Sequence, residues 1–280
     1  MVCFPNAKIN LGLTIIEKRT DGYHNLESLF YPISLCDVLE VVENPKAAEK
    51  KDSKQVICFE STGIPISGDP LSNLCVKAYE LLSKDYPMPP VKIHLHKIIP
   101  VGAGLGGGSS DAACFIKLLN DKFELGLSWG EQHHYAKQVG SDCSFFISNK
   151  PAFAKGRGDE LEPANVQLSG YRLVLIYPGI FISTAEAYSK VKPKKRDKEL
   201  DTVIDGLKPE NWKGLVTNDF EDSVFDLHPL LSGIKKNLYA KGAVYASMSG
   251  SGSSVYGLFT EKVDLKKEYK DYFVWQEDLV

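Results

Sequence analysis

An α+β chain in two domains is what this sequence predicts, on three observations. Segments of period-two alternation are interspersed with segments of helical spacing. The texture turns to turn-formers and charges around Asn149–Gly158. At 280 residues the chain can hold one large domain or two small ones, with a sizeable core either way. The expected domains are residues 1–152 and 153–280.

The elements follow in order. Ala7–Ile16 alternates, with Ile9, Leu11, Leu13 and Ile15 on one face and Lys8, Asn10, Gly12 and Thr14 on the other. Period two means a strand, so Lys8 and Asn10 project from the same side, which on an average strand meets water. Leu26–Leu35, Val38–Glu43 and Gln55–Glu60 read as further strands, and Asn44–Lys54 as an exposed hairpin loop between the last two. Asn73–Ser83 has helical spacing with Ser72 or Asn73 as cap. Strand Val91–Ile99, a glycine cluster, helix Asp111–Phe123 and helix Trp129–Val139 complete the first half.

The second half reads strand Tyr171–Tyr177, helix Thr184–Val191, a solvated basic run at Lys190–Lys198, then helices to about Lys241. It closes with strand Ala243–Met248, strand Ser254–Phe259, helix Val263–Tyr269 and strand Tyr272–Gln276. Two successive strand–helix–strand units make the split βαβ, ferredoxin-like pattern, here with a helical insertion after the first helix.

A net charge of −3, with 43% hydrophobic and 25% charged residues, excludes collagen-like, low-complexity and disordered classes. It gives no support for a broad nucleic-acid surface, which needs a basic field. It leaves open a small anion held at one local site. The six cysteines are scattered singly, which argues against a disulfide framework or a metal knuckle. The first residues lack the pattern of a signal peptide, and no run approaches the ~20 apolar residues of a membrane span. The expectation is a cytoplasmic protein with neither membrane nor nucleic-acid partner.

The strongest local signal is Pro100–Ala113, with five glycines between Gly102 and Gly108. Glycines let the backbone wrap a ligand closely, and Ser109 and Ser110 then open a helix whose N-terminus favours an anion. Strand, glycine turn and helix N-terminus together mean a phosphate cradle. The Walker A pattern fails because no lysine follows the glycines. Gly102-x-Gly104-x-x-Gly107 satisfies the dinucleotide fingerprint, but Asp121 and Glu124 lie in or just after the helix and not at the end of a second strand. Ser247–Ser254, glycines interleaved with serines, suggests further donors facing an anion. Asp142, in Gly140–Ser144, could by itself be only a turn or cap residue.

Pro-x-Gly-x-Gly-Leu-Gly-Gly-Gly-Ser-Ser with a late Gly-Ser-Gly resembles the GHMP small-molecule kinases. Pro5–Leu13, Arg19–Leu26 and Gly140–Asp142 are similar to one branch of that family, which acts on a cytidine-diphosphate-linked methylerythritol in isoprenoid-precursor synthesis. The resemblance implies a ribosomal-protein-S5-like N-terminal domain and a ferredoxin-like C-terminal one. It implies ATP with Mg2+, the metal held mainly through the ATP phosphates, and a monomer or weak homodimer. It places Pro100, Val101, Gly102, Ala103, Gly104, Leu105, Gly106, Gly107, Gly108, Ser109 and Ser110 on the ATP phosphates, and Lys97 near the adenine or ribose.

The same resemblance makes Asp142 the catalytic carboxylate and Lys8 its partner. Asp142 would accept the proton of the acceptor's 2-hydroxyl, and Lys8 would keep it ionised and offset charge on the transferred group. Tyr23 and His24 match one side of a cytosine clamp, with Tyr188 opposite. Asn10, with Ser183 or Thr184, fits the methylerythritol end. Two alternatives stay open: a GHMP kinase for homoserine or a sugar, and a non-catalytic nucleotide-binding protein on the same fold.

Overall fold

The computed structural model describes residues 1–45, 57–189, 191, 193 and 199–280. The strands are β1 (Val2–Cys3), β2 (Asn6–Lys18), β3 (His24–Cys36), β4 (Val38–Glu43), β5 (Ile57–Gly63), β6 (Val91–Lys97), β7 (Ala152–Lys155), β8 (Glu160–Pro163), β9 (Arg172–Tyr177), β10 (Tyr245–Met248), β11 (Val255–Phe259) and β12 (Phe273–Asp278). The helices are α1 (Leu74–Leu82), α2 (Gly107–Phe123), α3 (Trp129–Val139), α4 (Cys143–Ser148), α5 (Thr184–Ser189), α6 (Leu200–Gly206), α7 (Phe220–Leu227) and α8 (Pro229–Ala240). The chain forms two compact units: residues 1–7, 35–101 and 106–149, and residues 8–34, 102–105 and 150–280.

The first unit is a sheet of order β1-β4-β6-β5 with helices α1 to α4. Alternation along β6 buries Val91, Ile93, Leu95 and Lys97. The apolar members of that row join Leu39, Val41, Val76, Tyr79, Leu82, Phe115 and Leu119 among the fully buried side chains. β4 pairs antiparallel with β6, and β5 pairs parallel with it. β4 and β5 therefore flank β6, which overturns the hairpin expected between them, because β6 takes the ladder positions a hairpin partner would need. Most of the expected hairpin loop lies outside the described residues. Asn73 caps α1, its side chain accepting from the Cys75 N–H at 2.9 Å. Ser128 caps α3 in a reciprocal capping box with Glu131.

The second unit holds two sheets, β2-β3-β7-β8 and β10-β11-β9-β12. In the latter every neighbouring pair is antiparallel, and the order is that of the ferredoxin-like pattern. Its core gathers Val174, Ile176, Val255 and Met248 with Phe220, Val224, Leu231, Ile234 and Leu238 from α7 and α8. The helix expected at Val263–Tyr269 does not form. The Leu265 carbonyl accepts from Glu268 and Tyr269, a single turn. Asp264 meanwhile takes the Lys266 N–H at 3.1 Å and Gln276 at 2.9 Å, local bonds that compete with a helix. The basic run Lys190–Lys198 lies largely outside the described residues. No helix among the described residues is long and apolar enough to cross a membrane.

The capping box generates a stability test. Ser128→Ala removes the acceptor for the Glu131 N–H and is expected to cost about 1 kcal/mol. A lowered urea-unfolding midpoint of the first unit checks it, and an unchanged midpoint would show the cap contributes nothing.

Candidate active site

The glycine segment takes the conformations its composition permits. Gly102, Gly104 and Gly106 all lie at positive φ, near +66°, +77° and +69°. At Gly104 no other residue fits, because a Cβ there would stand 1.9 Å from the Ser249 carbonyl oxygen. Helix α2 starts at Gly107, four residues before the expected Asp111, and its cap, Gly106, offers no side-chain hydrogen bond. The first intrahelical bond runs from the Ser110 N–H to the Gly106 carbonyl at 2.9 Å. The N–H groups of Gly107, Gly108 and Ser109 precede it, an array of donors at the positive end of a 17-residue helix. Glycine and serine, and not a capping side chain, thus leave that end able to take an anion.

Within the second unit, Asn10 organises a polar node. It is buried, as is Lys8, so the polar face of β2 does not meet water as alternation alone suggests. The Lys8 ammonium donates to Asn10 Oδ1 and lies 4.6 Å over the Phe30 ring. Asn10 Nδ2 donates to Ser28 Oγ at 2.7 Å, and Ser28 Oγ passes the chain to the Gly12 carbonyl at 2.7 Å. The Asn10 N–H donates to Ser249 Oγ at 3.2 Å, and Ser249 Oγ donates to the Gly104 carbonyl at 2.8 Å. The Lys8 N–H donates to the Leu105 carbonyl at 3.0 Å, and the Ser254 N–H to that of Ala103 at 3.2 Å. The serine hydroxyls expected to face an anion are largely spent inside the protein: Ser249 on Gly104, Ser253 on the Ile180 carbonyl and Ser247 on Glu221. They fix the backbone of the two glycine segments, a role the sequence left unread.

Asp142 belongs to the first unit and sits half-buried at the N-cap position of α4, a helix the sequence did not suggest. The following Cys143 is buried, which pushes its thiol up to about 12 and leaves it inert. Lys97, which the resemblance puts near the adenine or ribose, is the last residue of β6. It is 3% exposed, and its ammonium is bound by Asp37 and, at 2.9 Å, by Asp111. Burial acts to lower the Lys97 pKa, yet the two carboxylates together hold it above the ordinary lysine range. Among the described residues no group of three or more His, Cys, Asp or Glu side chains could hold a metal ion.

The aromatic residues meet in the second unit. His24 and Tyr188 stack directly, with centroids 4.7 Å apart and planes 26° from parallel. The expected arrangement had Tyr188 facing His24 across a gap; here it seats the imidazole. Tyr23 is exposed and carries the Arg157 guanidinium 5.1 Å from its ring centroid, a contact the motif did not reveal. Burial, then the charge of Lys18, lowers the His24 pKa, so the ring is neutral at pH 7. Ser183 Oγ accepts from the Glu186 N–H at 3.1 Å, capping α5. The Thr184 side chain lies outside what the structure describes.

Comparison with known proteins matches residues 73–156 to the GHMP kinases N terminal domain and residues 205–272 to the GHMP kinases C terminal domain. The chain is 51% identical, over the full length of both proteins, to the 4-diphosphocytidyl-2-C-methyl-D-erythritol kinase of Bacteroides fragilis. A crystal structure of 4-(cytidine 5'-diphospho)-2C-methyl-D-erythritol kinase superposes with a TM-score of 0.79 at 30% identity, covering 99% of this chain and 98% of that one. A homoserine kinase from Cytophaga hutchinsonii, with a TM-score of 0.67 at 16% identity over 98% of this chain and 95% of its own, shares the fold.

Two glycines at positive φ separate steric from conformational cost. Gly126→Ala places its methyl in open space and is expected to cost about 1–2 kcal/mol, from the backbone alone. Gly104→Ala should cost well over that, since its Cβ meets a buried carbonyl. Chemical unfolding of both variants checks this, and equal losses would refute the packing argument.

Proposed function

We infer the reaction from membership: the chain belongs to the GHMP kinase family, and it transfers a phosphoryl group from ATP to the 2-hydroxyl of 4-diphosphocytidyl-2-C-methyl-D-erythritol, giving the 2-phosphate and ADP. The observation that carries this is the 51% identity, over the whole of both chains, to a kinase of that name. The reaction belongs to isoprenoid-precursor synthesis by the non-mevalonate route, and we place it in the cytoplasm. The likeness to homoserine kinase is one of fold, and a Tyr23-His24 turn suited to a cytidine has no purpose on homoserine.

The residues divide the work as follows. The uncapped N–H groups of Gly107, Gly108 and Ser109, with Pro100 to Gly106 ahead of them, cradle the ATP phosphates. Those donors hold oxygen atoms and cannot ligate a cation, so a Mg2+ ion fits here on the phosphate oxygens themselves. When bound it would neutralise charge on the β and γ oxygens. Asp142 takes the proton of the acceptor hydroxyl as it attacks. Lys8 offsets charge on the transferred group, and Asn10 Oδ1 fixes its ammonium. His24, neutral and seated on Tyr188, reads the edge of the cytosine, and Tyr23 offers a ring for stacking.

Asp142→Asn is expected to abolish ADP release while leaving ATP affinity nearly intact, measured by a coupled assay and calorimetry; an active variant would remove the general-base role. Across a panel of alcohols, turnover is expected with the cytidyl-diphosphate substrate alone. Phosphorylation of homoserine or galactose in its place would overturn the assignment. The KM for the cytidyl substrate should stay flat above pH 7 and rise as His24 protonates below its ordinary range; a pH profile of KM identical to that of His24→Gln would exclude His24 as reader.

A further inference from the structure

Three charged side chains in the first unit have been taken almost wholly out of water: Asp37, Lys97 and Asp111 are 0%, 3% and 2% exposed. Local periodicity explains how they arrive there. Lys97 continues the inward row Val91, Ile93, Leu95 at the end of β6. Asp111 lies one helical turn before the buried Phe115 on the inner face of α2. Asp37 immediately precedes β4, with its N–H bound to the Pro5 carbonyl at 2.9 Å.

Their bonds span the glycine turn from both sides. Asp37 Oδ1 accepts from the Ile98 and Ile99 N–H groups at 2.6 and 2.8 Å, and its other oxygen accepts from Lys97. Those two N–H groups belong to the residues that lead from β6 into the turn. Lys97 then donates to Asp111 Oδ2 at 2.9 Å, on the second turn of α2. The ammonium lies directly beneath the helix start, 2.9 Å from where a Cβ on Gly107 would stand. A larger residue at 107 would displace it. The far oxygen of Asp111, Oδ1, is buried without a hydrogen-bond partner. Burial, with Asp37 beside it and against the pull of Lys97, pushes the Asp111 carboxyl up to about 7.

We propose that Asp37, Lys97 and Asp111 are positioning residues for the nucleotide: a buried ionic brace that ties the exit of β6 to α2 and so holds the helix's N–H groups where the phosphates bind. This rests on the kinase reading for the identity of the ligand. A cation beneath a helix N-terminus opposes the helix dipole, and two carboxylates offset that cost. Removing one partner strands a buried charge, which costs far more than the pair contributes. The brace therefore specifies a geometry, and phosphate binding by fixed N–H groups is sensitive to displacements of about 1 Å.

The test measures ADP and ATP affinity by calorimetry, with no alcohol substrate, alongside circular dichroism and melting temperature. Lys97→Met and Asp111→Leu are expected to weaken nucleotide binding by about tenfold or more, equivalent to about 1.4 kcal/mol. Asp111→Asn, which keeps an acceptor for Lys97, should stay within about threefold, and that rescue separates bonding geometry from charge. In steady state the loss should appear in the KM for ATP and leave the KM for the alcohol unchanged. If Lys97→Met does not fold, the paired Lys97→Met/Asp111→Leu replaces the contact with an apolar one and carries the same expectation. Folded variants that bind nucleotide as the parent does, with only a lower melting temperature, would overturn the proposal. A parent that binds ADP but does not phosphorylate the cytidyl alcohol would overturn the substrate assignment and leave the brace standing.

Discussion

An ammonium group cannot be moved out of water by itself; the cost after relaxation is still several kcal/mol per ion. Period two along β6 nevertheless carries Lys97 inward, on the same row as Val91, Ile93 and Leu95. Much of the first unit's layout follows from meeting that cost. One carboxylate must come from the residue ahead of β4 and another from α2, so the strand order β4-β6 and the seat of α2 are tied to one charge. Asp37 has two further acceptor sites, and it spends them on the N–H groups of Ile98 and Ile99. The same group that compensates the lysine thereby fixes the backbone on its way into the glycine turn.

The second unit solves a different problem with a neutral residue. Lys8 is as deeply buried as Lys97, but it meets an amide oxygen and the face of Phe30. Asn10 has one acceptor oxygen, two amide hydrogens and its own backbone to dispose of. It uses them on Lys8, Ser28, Ser249 and, through its carbonyl, the Tyr256 hydroxyl at 2.7 Å. An aspartate at position 10 would bind Lys8 but could not donate to Ser28. The amide is the side chain that satisfies both neighbours at once. Through Ser249 the node also holds Gly104, whose missing side chain is what lets a carbonyl approach so closely.

Much of this architecture is legible in the sequence. Helix α3 and strand β4 fall at their expected ends because Ser128, with Glu131, and the Val38–Glu43 alternation are strong local signals. Alternation puts Lys8 and Asn10 on one face, but it cannot say what covers that face, and theirs is buried. The inward positions of Lys97 and Asp111 were also legible, since each sits on an apolar row. The expectation of Lys97 near the adenine or ribose comes from the family resemblance and not from its own pattern. Pairings between distant segments were not legible: that β5 joins β6 in parallel, that Ser249 reaches Gly104, or that Arg157 lies on Tyr23. Each depends on long-range contacts that no window of sequence contains. The lost helix at Val263–Tyr269 is a narrower case, in which an aspartate's local bonds outcompeted a plausible pattern.

The near-neutral net charge now reads differently. On charge alone, a site for several phosphates would announce itself as a basic cluster, and the sequence has none near the glycines. In this chain a cation at the glycine turn would lie beneath the positive end of α2, where the dipole opposes it, and the lysine that is there is cancelled by carboxylates. The attractive field at the helix start then comes from peptide groups, which carry no formal charge and vanish from any count of lysines and aspartates. Peptide dipoles are also fixed by the fold, whereas a surface lysine must be ordered at an entropic cost each time it binds. A phosphate site built from backbone gains precision by giving up charge, and its affinity then depends on how rigidly that backbone is held. That is where the proposed brace acts: Asp37, Lys97 and Asp111 are buried and bond the backbone and helix on either side of the turn.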